Sequence, residues 1–159
     1  MVGEYVGTEL KMLPSRLESW DNFRARAPEG AMVQIATGGY GRNPYAFYDT
    51  AERPFLYRGP LPDEIPALAR VVKVETPDGM EGWSLELLRA QGRIEAGDLI
   101  LTWEPGQNSA LDQPLIADGA DVGNVLVQRK TEDGLVDVVY GVDFAFAFKA
   151  FFPDAPLHQ

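Results

Sequence analysis

The sequence predicts a β-rich α+β fold: a small antiparallel sandwich or barrel with one N-terminal helix. Three observations carry this. From Val138 onward, Val138, Tyr140, Val142, Phe144, Phe146 and Phe148 are apolar at every second position, the period of a strand. Sixteen Gly and twelve Pro are spread through the 159 residues and cut the chain into short pieces, as turn-rich β folds require. A single helix-start signature, Ser15 with Glu18, precedes a stretch of helical spacing near the N-terminus.

Residues 1–14 read as an extended arm that mixes Gly3 and Gly7 with Tyr5, Val6, Leu10 and Met12 and ends at Pro14. Terminal segments fray unless something holds them, so the arm either packs on its own domain or is clamped by a neighbouring chain. Residues 15–152 form the domain and 153–159 a tail. In the domain, Ser15 and Glu18 cap a helix carrying Leu17, Trp20, Phe23 and Ala27 on one face, which Pro28 and Gly30 end.

Met32 to Ala36 and Tyr45 to Asp49 read as two strands of a hairpin, joined by the Gly-rich stretch 37–44; Phe55 to Tyr57 adds a third, short strand. Arg70 to Glu75 alternates, and Pro77-Asp78-Gly79 turns the chain. Trp83 to Gln91 fits a strand or a helix; Ser84 as cap and Gly92 as stop favour the helix. Leu99 to Trp103 is a strand after the Gly97-Asp98 turn, 104–122 a long irregular connection, and Gly123 to Lys130 a strand. Glu132-Asp133-Gly134 then turns into the long final strand, with Phe144, Phe146 and Phe148 on one buried face. A helix over 143–152 competes with this, because Phe144, Phe148, Phe151 and Phe152 also fall on one helical face. The unbroken alternation favours the strand through Phe148.

Composition narrows function. The chain has no Cys, which removes disulfides, thiolate catalysis, zinc-thiolate sites and iron–sulfur clusters. Its one His, His158, stands one residue from the C-terminus, which disfavours a His-dependent triad, and a multi-His metal site lacks its second His. With 24 acidic and 14 basic side chains the net charge is −10, which disfavours nucleic acid and anionic membrane as partners and suits a basic protein. No run of 18 apolar residues and no leader pattern is present, so neither a transmembrane helix nor a signal peptide is expected.

Few motifs suggest chemistry. The 38–42 stretch GGYGR could cradle an anion with Arg42 beside it, but its spacing matches no phosphate-loop pattern and a hairpin tip explains it better. Tyr40, among three glycines, would make a contact anchor. Asp112, Asp118 and Asp121, with Asn108, supply oxygen ligands but no EF-hand spacing, so a solvated loop is expected and no metal or cofactor. A carboxylate pair for glycosidic chemistry can be proposed in any chain this acidic, so it carries no weight.

The stretch from Gly97-Asp98-Leu99-Ile100-Leu101 through Asp121-Val122-Gly123-Asn124-Val125-Leu126-Val127 to Asp133-Gly134-Leu135-Val136 resembles the β-barrel decoration, or cement, proteins of tailed-phage capsids, which also pass through short strands with Gly-Asp turns. The resemblance covers about the last 60 of the 159 residues and includes no diagnostic motif. It implies a non-catalytic, shell-reinforcing protein, often a trimer, located in the virion. Two other readings stand beside it: an acidic immunity or inhibitor protein, cytoplasmic, that neutralises a basic toxin or enzyme, and a small carboxylate-based enzyme. The expected function is non-enzymatic protein binding, with Tyr5, Val6, Leu10 and Met12 of the arm, Tyr40, Arg42, and Asp112, Asp118 and Asp121 of the loop as contact residues.

Overall fold

The computed structural model describes residues 3–30 and 43–159. The expected strand Met32 to Ala36, the GGYGR stretch, Tyr40 and Arg42 lie outside the described residues. In chain order the elements are α1 (Trp20–Arg26), β1 (Arg70–Thr76), β2 (Gly79–Ser84), α2 (Leu85–Gln91), β3 (Arg93–Ala96), β4 (Leu99–Glu104), a 3-10 turn at Ile116–Asp118, β5 (Asn124–Thr131), β6 (Gly134–Asp137), β7 (Tyr140–Phe144), α3 (Ala145–Phe151) and β8 (Leu157–His158). The strands make two four-stranded sheets, ordered β7-β1-β2-β8 and β3-β4-β5-β6. All pairings are antiparallel except β2 with β8. Neither sheet closes on itself among the described residues, so the fold is α+β with two facing open sheets and no barrel.

The alternation of β1 explains the layers. Val72 and Val74 point to one face and pack with Trp83, Leu88, Leu99, Leu101, Val125 and Val127, the core between the two sheets. Val71 points the other way and packs with Ile65, Ala145 and Phe148 beneath α3. Gly82 is required on that side. A Cβ there would come within 2.7 Å of the Phe148 ring and 2.8 Å of Val71, so only glycine lets α3 settle on the sheet.

The long final strand is the main correction. The chain pairs as β6 on one sheet, crosses at Val138 and Val139, pairs as β7 on the other, and turns helical at Ala145. Ala69 and Ala67 accept the Ala145 and Phe146 amides at 2.8 and 2.9 Å, which satisfies donors that a helix start leaves open. With that anchor, the alanines of the segment favour helix over the strand pattern. Phe144, Phe146 and Phe148 therefore do not share one buried face: the Phe144 and Phe146 rings stack, 6.2 Å between centres, and Phe148 lies apart. Phe148 is fully buried, whereas Phe144 and Phe146 are partly buried against Tyr48 and Tyr57.

Tyr45 to Asp49 and Phe55 to Tyr57 are turns and loop, not strands. Asn43 Oδ1 accepts the Tyr45 amide at 3.0 Å, and Phe47 and Leu56 have φ of 66° and 63°, which no strand tolerates. The Ser84 prediction holds: its hydroxyl accepts the Leu87 amide at 3.2 Å, and Gly92 ends α2 at φ 68°. Within the tail, Leu157 and His158 add a short strand beside β2.

The N-terminal helix begins four residues later than Ser15 implies. Ser19 is its cap, accepting the Asn22 amide, and Glu18 instead pairs with Arg26. Ser19→Ala is expected to lower stability by about 0.5–1 kcal/mol, near the low end for caps because the bond is long at 3.4 Å. Ser15→Ala is expected to change nothing in the same denaturant melts. Equal losses at both positions would restore the earlier helix start.

Candidate functional site

Three parts of the surface place functional side chains. The first is the connection from β4 to β5. Its aspartates act as staples. Asp121 accepts the amides of Gly106, Gln107 and Gly123 at 2.9, 3.1 and 2.8 Å, and Asp112 accepts the Ala120 amide at 2.7 Å. Burial pushes the Asp121 carboxyl up, but its three amide donors together hold it below the usual Asp range. Asp118 stands apart, exposed on the 3-10 turn. Among the described residues no group of three or more His, Cys, Asp or Glu could hold a metal. Leu115 and Ile116 are exposed at 65 % and 54 %, apolar anchors that sequence reading passed over.

The second part joins this connection to β1. Arg70 reaches both oxygens of Asp49 at 3.0 and 2.9 Å and Ser109 Oγ at 3.0 Å. Ser109 Oγ donates to Asp49 and accepts the Leu111 amide at 3.0 Å. Arg70 also lies over the Phe144 ring, 5.5 Å from its centre. Asp49, Arg70 and Ser109 are far apart in sequence, and no spacing motif marks them. They stand beside a cleft of about 1000 Å³ whose lining includes Leu85, Arg89, Asp112 and Asp121. Ser109 is only 1 % exposed and its oxygen is fully engaged, which suits a tie between segments better than a nucleophile.

The third part is the N-terminal segment. Arg16 makes a two-pronged ion pair with Asp137, both contacts 2.7 Å, and the Ser19 amide donates to Asn124 Oδ1 at 2.7 Å. The Arg16 hydrogen bond is the main cause holding the Asp137 carboxyl below its ordinary value, and the same bond raises Arg16. These contacts fix residues 16–26 along the β4–β5 side of the second sheet. Before Arg16 the chain leaves the surface. Tyr5, Val6, Leu10, Met12 and Leu13 are 63–86 % exposed, as is Leu17 just inside the fixed stretch. Residues 3–8 make two local turn bonds, Val6 to Gly3 and Thr8 to Tyr5, each 3.2 Å. The arm therefore does not pack on its own domain.

Of the predicted contact residues, the structure brings Asp112 and Asp121 together at the cleft. Tyr5, Val6, Leu10 and Met12 lie along the separate arm.

Two open sheets, a stapled loop and a projecting apolar arm define an α+β domain. The chain belongs to the DUF3179 family of proteins of unknown function, whose model matches residues 1–155. No curated protein and no solved structure matches it. Among the described residues no helix is long and apolar enough to cross a membrane.

Proposed function

We propose that this domain works by binding protein, with residues 3–17 as the docking segment. One observation carries the reading: six large apolar side chains of that segment are 63–86 % exposed. At ~1.5–3 kcal/mol for each side chain taken from water, their burial gives on the order of 10 kcal/mol. Association costs roughly 4–15 kcal/mol, so the arm alone brings the balance close to binding. The engagement of Asp112 and Asp121 by backbone amides supports a structural role for both and weakens the carboxylate-enzyme reading. The capsid-decoration reading still rests on the Gly-Asp turns alone, and the acidic-inhibitor reading on the net charge of −10.

The test places a photoreactive phenylalanine analogue at Leu10 in the full chain, in the cells that make it. Discrete protein adducts are expected. Deleting residues 1–12 should leave the thermal midpoint unchanged, because the described part of that stretch makes only local bonds. A well-folded chain that gives no protein adduct overturns the proposal, as does a deletion that unfolds the domain.

A further inference from the structure

Among the described residues the chain carries a segment with strand-like alternation that pairs with nothing and a sheet edge that pairs with nothing, and the root of the first lies at the end of the second. Within residues 8–13, Thr-Glu-Leu-Lys-Met-Leu, Glu9 to Met12 alternate polar and apolar, with Leu10 and Met12 on one side and Glu9 and Lys11 on the other. They belong to no element and pair with nothing among the described residues. Pro14 closes the stretch.

The edge is the outer side of β6. Sheet edges carry a row of open amides and carbonyls, and folded proteins blunt them with charge, brevity or cover. Among the described residues, three of the four edges are managed. β3 carries the Arg93–Glu95 ion pair, β8 is two residues long, and β7 presents Asp143, paired with Lys73. β6 presents Leu135 and Val136, 49 % and 52 % exposed, and its one charge, Asp137, stands at the end of the strand. The apolar run continues past the strand through Val138 and Val139, the latter 38 % exposed.

Arg16, at the root of the arm, pairs with Asp137, the last residue of β6. Donor and acceptor therefore meet at one place on the surface. A two-fold axis beside Asp137 would lay each arm on the other copy's β6, a self-complementary arrangement that closes at two subunits. In each copy such a dimer would cover Leu10, Met12 and Leu13 of the arm, 86 %, 71 % and 74 % exposed, and Leu135 and Val136 of the edge.

We propose that residues 8–13 of one copy add as a strand to the β6 edge of a second copy, and reciprocally, making a two-fold dimer. This rests on the docking role of the arm and names its occupant.

Light scattering and sedimentation of the full chain over a concentration series test it, together with the Leu10 cross-link on a mixture of isotopically labelled and unlabelled chains. A mass near twice 17.5 kDa is expected, with mixed-isotope adducts falling within residues 134–142. Glu9→Pro with Lys11→Pro removes two ladder amides from a segment that is exposed throughout. It should raise the half-association concentration about tenfold or more while the circular dichroism stays unchanged. Leu135→Lys, which charges the bare edge, should do the same. Two copies of net charge −10 repel, so added salt should strengthen the dimer; a basic partner would be weakened. A monomer at every concentration, with Leu10 adducts only to a different protein, overturns the dimer and leaves the docking role standing. No protein adduct at all removes both.

Discussion

Phe148→Ala is expected to lower the free energy of unfolding by about 3–5 kcal/mol. Phe148 is fully buried, and its ring fills the space that Gly82 leaves open between α3 and the first sheet. Val71, Ala145 and Ile65 close around it. Truncation removes the ring and leaves a cavity that a glycine-floored site cannot collapse to fill. Phe146→Ala should cost less, about 1–2 kcal/mol, because that ring is only partly buried and its neighbour is Tyr57 at 4.9 Å. Phe151 is 76 % exposed, and Phe151→Ala should stay within about 0.5 kcal/mol. Urea melts of the three variants decide the matter. A continuous strand through Phe148 would make Phe146 and Phe148 equally costly; the helix makes them differ.

That contrast locates what a sequence can show here. β1, β4 and β5 are legible because turn residues bracket each around apolar positions, and α2 follows from Ser84 and Gly92 although Trp83 to Gln91 also fits a strand; β2, Gly-Met-Glu-Gly-Trp-Ser, carries no apolar period and gives no strand signal. The run from Val138 to Phe148 is not. Its period of two holds across a sheet-to-sheet crossing and into a helix, and the deciding contacts are the Ala69 and Ala67 carbonyls, distant in sequence. β3 offers only Ile94 and Ala96 as apolar positions, and β8 exists through pairing with β2. The two candidate helix starts, Ser15 and Ser19, differ only in which serine reaches an open amide, a matter of geometry. The arm's apolar residues could be named in advance, but whether they pack on the domain depends on the whole surface. Asp112 and Asp121 stand out as oxygen-rich positions, yet their partners are backbone amides, which carry no sequence signal.

The tie among Asp49, Arg70 and Ser109 yields the second large effect. Asp49→Ala is expected to cost about 2–4 kcal/mol, below the ~3–5 kcal/mol of a fully buried pair because the Asp49 and Arg70 side chains keep 17 % and 21 % of their exposure. The loss has two sources. The Arg70 guanidinium is left half-buried without its carboxylate, and the Ser109 hydroxyl, 1 % exposed, loses its acceptor. Removing the charge from both partners separates these. In Asp49→Ala with Arg70→Met no stranded cation remains, so the double variant should recover part of the single loss. Ser109→Ala added to Asp49→Ala should cost less than the sum of the two, since both remove one shared bond. The tie also holds two segments on one framework, because the amides of Phe47 and Tyr48 donate to Asp112 and Leu111 at 2.7 and 2.8 Å. Hydrogen exchange in Asp49→Ala should therefore quicken at those two amides before it quickens in β1. Uniform acceleration across the domain would mean that Asp49 supports global stability alone and does not specifically fasten the 43–51 turns to the β4–β5 connection.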